Sequence, residues 1–343
     1  MKVGVLTGGG DCPGLNAVIR ALVKRGSELG HEFLGIKDGW KGLVHGEYME
    51  LTVDSTIGLL ARGGTILGTS RTNPLKNEAD TLSCLENIKE KGLDCIVCIG
   101  GDDTLGVASG FFEQGIKTIG IPKTIDNDLS GTDFTFGFDT AVSIVSEALD
   151  RLHTTTEAHH RVMIVEVMGR HAGWIATYGG MAGGADIILI PERPFDIKEV
   201  CAVVTKRKLA AGRNFSIIVA AEGAHPKEAE GMITKKKELD AFGHARLGGV
   251  GEFLAGEIEE RTGAETRYVV LGHLQRGGTP TAFDRILATR FGVRAAELID
   301  EGGFGRMVAL QGKDIKDVSL KDATCETKTI DEEIFRVASV FFG

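Results

Sequence analysis

Short apolar runs recur along this chain, and each breaks into a turn of glycines, acids or basic residues before the next segment begins. Lys2–Thr7 runs into Gly8-Gly9-Gly10-Asp11, with the helical pattern Leu15–Gly26 behind it. Cys95–Ile99 runs into Gly100-Gly101-Asp102-Asp103-Thr104. Thr118–Ile121 runs into Pro122-Lys123-Thr124-Ile125-Asp126-Asn127-Asp128. Further along, Val162–Val167 leads to Met168-Gly169-Arg170, and Ile187–Ile190 to Pro191-Glu192. Phe215–Ala221 ends in Glu222-Gly223, and Arg267–Leu271 in Gly272-His273-Leu274-Gln275-Arg276. Strands apolar at successive positions are buried on both faces, as in parallel sheets wrapped by helices. In such sheets ligands bind beyond the C-terminal ends of the strands, which is where the polar motifs fall. At 343 residues the chain exceeds one compact core, so two α/β units are expected.

The remaining segments fit that alternation. His31–Lys37 reads as a strand, and Val53–Leu60, Leu82–Lys91, Glu252–Arg261 and Ala282–Ile299 read as helices. Gly137–His153 is a longer helix with Ala141, Val145 and Leu149 on one face. The lysine- and glycine-rich stretch 226–250 is expected to run over the surface, and the tail from Val308 to return and cover the body.

A net charge of −9 argues against a general nucleic-acid or anionic-membrane binder. No apolar run approaches transmembrane length, and the N-terminus enters a strand without a signal-peptide layout. Six scattered cysteines suit reduced thiols in the cytoplasm. Cys95 and Cys98 have the spacing of a redox or zinc pair, but residues three apart on a strand face opposite sides, so both are expected in the core. His159-His160 lacks a third ligand at helical spacing and reads as non-metal.

The strand-end inventory suits one chemistry. Phosphoryl transfer needs Mg²⁺, donors for phosphate oxygens and a base for an alcohol proton. Asp102, Asp103, Asp126 and Asp128 supply carboxylates, and the glycine turns at 8–10 and 100–101 supply backbone N–H groups. Arg71, Lys123, Arg161, Arg170, Arg267 and Arg276 supply positive charge. No Ser-His or Cys-His pair has the context of a covalent nucleophile.

These residues carry a family resemblance. Thr7-Gly8-Gly9-Gly10-Asp11-Cys12-Pro13-Gly14-Leu15-Asn16, Gly100-Gly101-Asp102, Pro122–Asp128, Glu166-Val167-Met168-Gly169-Arg170 and Leu271–Gly278 occur in the order found in 6-phosphofructokinases. The chain resembles that family over nearly its whole length. The resemblance implies two Rossmann-like three-layer α/β/α lobes with mostly parallel sheets and an active site in the cleft between them. Residues 1–137 with about 275–325 would form the phosphoryl-donor lobe. Residues 138–274 with about 326–343 would form the fructose 6-phosphate lobe. It further implies that Asp126 accepts the proton of the sugar 1-hydroxyl and that Asp102 and Asp128 form the Mg²⁺ side. Arg71 and the Gly10 N–H would steady the phosphoryl group, with Thr104 also on the donor side. Thr124, Met168, Gly169, Arg170, Glu222, His273 and Arg276 match sugar-phosphate positions. Arg161 and Arg267 match arginines that reach in from a neighbouring subunit of a homodimer or homotetramer. Arg20 and Lys24 keep only the first part of the family's effector pocket, which argues against a nucleotide switch.

Two departures bear on the donor. The ATP-using pattern has glycine where Asp103 stands and another glycine where Lys123 stands, and both changes resemble the pyrophosphate-dependent branch. A carboxylate at 103 would lie near the α-phosphate of ATP. Like charges about 4 Å apart repel by about 4 kcal/mol at an effective dielectric of about 20, before screening. Pyrophosphate ends short of that position, and Lys123 can grip it. The alternatives are an ATP-dependent 6-phosphofructokinase and, from another class, a sugar-phosphate sensor that keeps the fold without catalysis.

Overall fold

The computed structural model describes residues 1–209, 214–228, 234–239 and 245–342, with the backbone alone for 234–239 and 245–246. In chain order the strands are β1 (Lys2–Thr7), β2 (Glu32–Ile36), β3 (Tyr48–Leu51), β4 (Cys95–Gly100), β5 (Thr118–Thr124), β6 (Phe136–Gly137) and β7 (Val162–Val167). They continue with β8 (Ile187–Leu189), β9 (Ser216–Ala221), β10 (Thr234–Leu239), β11 (Ala245–Leu247), β12 (Thr266–Val270), β13 (Arg306–Gln311) and β14 (Asp314–Ser319). The helices are α1 (Leu15–Glu28), α2 (Trp40–His45), α3 (Glu78–Lys91), α4 (Asp102–Glu113), α5 (Phe138–Ala158) and α6 (Trp174–Ala182). After them come α7 (Ile197–Leu209), α8 (Val250–Thr262), α9 (Ala282–Glu301), α10 (Leu320–Ala323) and α11 (Glu332–Ser339).

The apolar runs sort into two principal sheets. The first has the order β14-β13-β5-β4-β1-β2-β3, with β6 paired to β5. Its centre is parallel, and only the edge pairs β2–β3 and β13–β14 are antiparallel. The second, β12-β7-β9-β8, is wholly parallel. Parallel strands need helical crossovers and have both faces covered, which explains why β4 and β7 are buried at every position. Cys95 packs with Val97 and Ile99 in one core cluster, whereas Cys98 packs with Ile96 in the other. The two thiols therefore lie on opposite faces, as their spacing requires.

One core cluster runs from Val3, Val5 and Val97 of the first sheet to Val165, Val167 and Val219 of the second. It passes through α1, α5, α6 and α9, so the sheets share apolar packing instead of meeting across a wet linker. The other face of the second sheet is closed by α7 and α8. Among the described residues no helix is long and apolar enough to cross a membrane.

Three local expectations change. Val53–Leu60 is no helix beyond the 3₁₀ turn Asp54–Thr56, and Gly58 with φ 79° takes the chain out of helical geometry. The long helix continues past His153 to Ala158. The tail does more than cover the body, because β13 adds in parallel to β5 and Met307–Leu310 become core. Within 226–250, β10 and β11 pair antiparallel, and residues 229–233 and 240–244 lie outside the described residues.

The join between the sheets rests on Asp284, which is fully buried at the start of α9. Its Oδ2 accepts from Thr140 N at 2.8 Å and Thr140 Oγ1 at 2.5 Å, tying α9 to the first turn of α5. Burial pushes this carboxyl up to about 6. Between about 4, the ordinary carboxylate value, and about 6, the folded chain keeps a proton that the unfolded chain has released. Stability should therefore fall as pH rises through that window. Asp284→Ala strands two buried donors and should cost about 2–4 kcal/mol. Asp284→Asn should cost less and flatten the slope. Urea unfolding of the three proteins across that pH range measures both.

Candidate active site

Because β1, β4 and β5 are parallel neighbours, their C-terminal ends share one edge. That edge gathers Gly9, Gly10, Gly101, Asp102, Asp103, Thr104, Lys123, Thr124, Asp126 and Asp128 around one pocket. Arg170, from the turn after β7, and Arg276, from the 3₁₀ turn after β12, close it from the second sheet. The pocket thus lies between the two sheets.

Backbone geometry at the two key turns is unusual for the residues that hold it. Asn127 adopts φ 53° and Arg170 φ 50°, a region that costs most side chains energy and that asparagine tolerates best. At Asn127 the side chain supports the turn. Its Oδ1 accepts from Thr135 N at 3.0 Å, and its Nδ2 donates to Asp133 O at 3.3 Å. Thr124 Oγ1 accepts from Asp126 N at 3.0 Å.

Close approach explains the glycines. A Cβ on Gly8 would lie 2.5 Å from Thr104 Oγ1, and one on Gly100 would lie 2.3 Å from Thr104 Cβ. The buried Thr104 is therefore the wedge between the two turns. A Cβ on Gly10 would lie 1.9 Å from Arg276 Nη1. Lys123 is buried and donates from Nζ to Gly10 O at 2.6 Å, which pins the first turn to the end of β5.

Charge is concentrated here. Burial pushes Asp126 above the ordinary carboxylate range, against the pull of Arg170 and Arg276. Burial, and then the charges of Asp126 and Asp102, raise Asp128 to about 7. Burial works against the Arg170 charge, but Asp126, Asp102, Asp103 and Asp128 outweigh it and hold the guanidinium above its usual value. Arg170 Nη1 stands 3.9 Å from both Asp102 Oδ1 and Asp103 Oδ2. Burial lowers the Lys123 ammonium. Asp126 Oδ1 and Arg276 Nε are buried without a hydrogen-bond partner. Crowded, partly unsatisfied carboxylates of this kind fit a cation. Among the described residues no three metal-ligating side chains converge on one point, so an ion here would draw its other ligands from water and substrate phosphates.

The remaining candidates lie around this centre. Glu222 Oε1 accepts from Arg170 N at 3.2 Å, and burial raises its carboxyl to about 7. Met168 N donates to the buried Gln275 Oε1 at 3.3 Å, and Gly169 at φ 141° makes the bend before Arg170. His273 is exposed outside the pocket lining. Arg71 is also outside that lining, but its loop is firmly placed. Thr69 Oγ1 donates to Gly9 O at 2.6 Å, and Gly9 N donates to Ser70 O at 3.1 Å.

Two residues that place this loop carried no role in the sequence reading. Asn16 donates to Arg62 O and Gly63 O, each at 3.1 Å, and accepts from Ile66 N at 2.9 Å. Thr7 Oγ1 donates to Gly68 O at 2.6 Å. An asparagine in the first turn of an apolar helix, where it is a poor helix former, was the available signal.

Arg161 and Arg267 do not join this pocket. They flank the N-terminal ends of β7 and β12, whereas Arg170 follows the C-terminal end of β7. A six-residue strand separates such positions by roughly 20 Å. Both arginines instead meet Glu265 Oε1, at 2.8 and 2.7 Å.

Comparisons with known proteins identify the family. The family model described as Phosphofructokinase matches residues 2–299. The pyrophosphate–fructose 6-phosphate 1-phosphotransferase of Streptomyces coelicolor is 56% identical over 345 residues, covering 100% of both chains. The ATP-dependent 6-phosphofructokinase 3 of the same organism is 54% identical over 331 residues, or 96% of each chain. The solved phosphofructokinase from Saccharomyces cerevisiae has a TM-score of 0.83 at 29% identity; the match covers 99% of this chain and 46% of that one. Matched by the family model across most of its length and by relatives more than half identical, the chain belongs to the phosphofructokinase family.

Proposed function

We propose that this phosphofructokinase transfers a phosphoryl group from pyrophosphate to the 1-hydroxyl of fructose 6-phosphate, reversibly, in the cytoplasm. The observation that carries the choice of donor is the joint presence of Asp103 and Lys123 in the pocket that holds Asp126. Asp103 places a carboxylate where a nucleotide's α-phosphate would extend, which is an explicit repulsion against the longer donor. Lys123, anchored on Gly10 O, adds a buried positive charge beside the first glycine turn. The high identity to an ATP-dependent relative makes ATP the competing donor.

Each residue then has a role. Asp126, raised above an ordinary aspartate by burial, is better matched to accept the hydroxyl proton as that bond breaks. Asp102 and Asp128 would hold Mg²⁺, which neutralises phosphate charge when bound. The Gly10 N–H, Thr104 and Arg71 orient the donor. Arg170 and Arg276, between the carboxylates and the second sheet, orient the sugar phosphate together with Thr124, Met168, Gly169, Glu222 and His273. Arg161 and Arg267 serve the site of a neighbouring subunit in a homo-oligomer, a reading supported by their absence from the lining of their own pocket.

Three outcomes test this reading. Wild type should turn over with pyrophosphate and poorly with ATP, and Asp103→Gly with Lys123→Gly should reverse that preference; an unchanged preference sinks the repulsion argument. Asp126→Asn should lower kcat by about 10²–10⁴-fold while isothermal titration still detects fructose 6-phosphate binding. Arg161→Ala, which removes a charge-assisted contact worth about 1.5–3 kcal/mol, should raise the fructose 6-phosphate KM by about 10- to 100-fold with little change in kcat. An unaltered KM would remove Arg161 from the substrate site.

A further inference from the structure

The tail segment 326–330 does not line the pocket, yet it is stitched to both turns that do. Ser130 Oγ donates to Glu326 O at 3.1 Å, and Leu129 and Thr327 form an antiparallel bridge. Lys328 N donates to Asp128 O at 2.8 Å. Lys328 Nζ donates to Thr132 O at 2.8 Å and to Asp133 O at 2.9 Å. Asp133 O is also the acceptor for Asn127 Nδ2. The ammonium and the left-handed Asn127 therefore brace one carbonyl of the loop that follows Asp126–Asp128.

The same lysine reaches the second sheet. Trp174 Nε1 donates to Lys328 O at 2.9 Å, and the ammonium lies 4.9 Å from the indole ring centre. Trp174 opens α6 directly after the turn that carries Arg170. Glu192 Oε1 completes the strap by accepting from Gly173 N at 2.9 Å and from Ile330 N at 3.0 Å. One half-buried side chain thus contacts the Asp126–Asp128 loop on one side and the start of α6 on the other.

We propose that Lys328 is a positioning residue that locks the Asp126–Asp128 turn to the Arg170 turn. It sets the approach of the Asp126 carboxylate to a substrate held from the second sheet. Its bonds go to backbone carbonyls and to an indole face, so it acts on the alignment of the turns and not on substrate directly. Misalignment of reacting groups by about 1 Å can cost about 10²-fold in rate, so a strap of this kind affects kcat more than binding. The proposal rests on the catalytic reading of Asp126 given above.

Lys328→Met keeps the length and loses the donors, and Lys328→Arg keeps charge and donors. Both are compared with wild type for kcat and fructose 6-phosphate KM, using whichever of pyrophosphate or ATP wild type accepts. Thermal midpoint and hydrogen exchange of peptides spanning 126–135, 170–176 and 95–100 are measured alongside. Lys328→Met should lower kcat about tenfold or more with KM changed by less than about threefold. Exchange should quicken at 126–135 and 170–176 but not at 95–100, and Lys328→Arg should recover most of both effects. A kcat within about twofold of wild type, or a loss that only follows the unfolded fraction while 126–135 stays protected, overturns the proposal. If wild type is inactive with either donor, the functional reading fails by itself. The exchange data then decide whether the strap holds both turns, and unchanged exchange overturns it.

Discussion

The pocket depends on a crowd of carboxylates that the fold forces together. Parallel pairing brings the ends of β4 and β5 side by side, so Asp102, Asp103, Asp126 and Asp128 must share one edge. Burial raises Asp126 and Asp128 above the ordinary carboxylate range, and the charges of their neighbouring carboxylates add to it. Arg170 and Arg276 are the counterweight, and both come from the second sheet. The chemistry therefore exists only where the two sheets meet. This explains why the core is continuous between them and why Asp284, Glu192 and the tail all join segments of one sheet to the other.

Much of the site was legible because strand-end position is itself information. An apolar run long enough for a buried strand, followed by Gly-Gly-Asp or Thr-Ile-Asp-Asn-Asp, says that those acids stand at the ligand edge of a parallel sheet. Which strands are neighbours is not in such local patterns. The structure supplied the pairing as β1–β4–β5. The tail was misjudged for a related reason. Met307–Leu310 reads as an ordinary apolar stretch, and only its partner β5 makes it a sheet strand. Lys123 was read as a grip on the donor, and what the sequence did not show is that its ammonium is buried and bonded to Gly10 O. Burial of a lysine depends on what packs over it, and no spacing rule reports that. Asn16 and Thr7 were passed over because their partners, at 62–68, are distant in sequence.

On the proposed reading, the two departures from the ATP-using pattern act together for a structural reason. Asp103 is in the first turn of α4 and Lys123 is near the end of β5, and both line one pocket. Adding a carboxylate alone would deepen the excess of negative charge that Arg170 already balances at 3.9 Å from both Asp102 and Asp103. Adding a buried ammonium alone would place a costly desolvated charge beside a backbone turn. Together they leave the formal charge of the pocket unchanged, and on the proposed reading Asp103 faces the far end of the donor. That pairing is a way to alter the preferred length of a polyphosphate without altering the machinery at Asp126.

In the proposed homo-oligomer, the arginines at the opposite edge extend the same logic to assembly. Arg161 and Arg267 both lean on Glu265, and Arg267 and Glu265 are largely exposed. Exposed ion pairs are worth about 0–1 kcal/mol, so the Arg267 guanidinium can leave Glu265 at little cost. A phosphate dianion presented by another subunit would bind the freed arginine more strongly, because charge-assisted contacts to phosphate can be bidentate and shielded from water. Until then Glu265 would sit between the two like charges and screen them from each other. On the proposed reading, the strand that carries Arg170 to its own pocket also carries Arg161 away from it, so a single copy of the chain holds one complete donor site and an incomplete sugar-phosphate site.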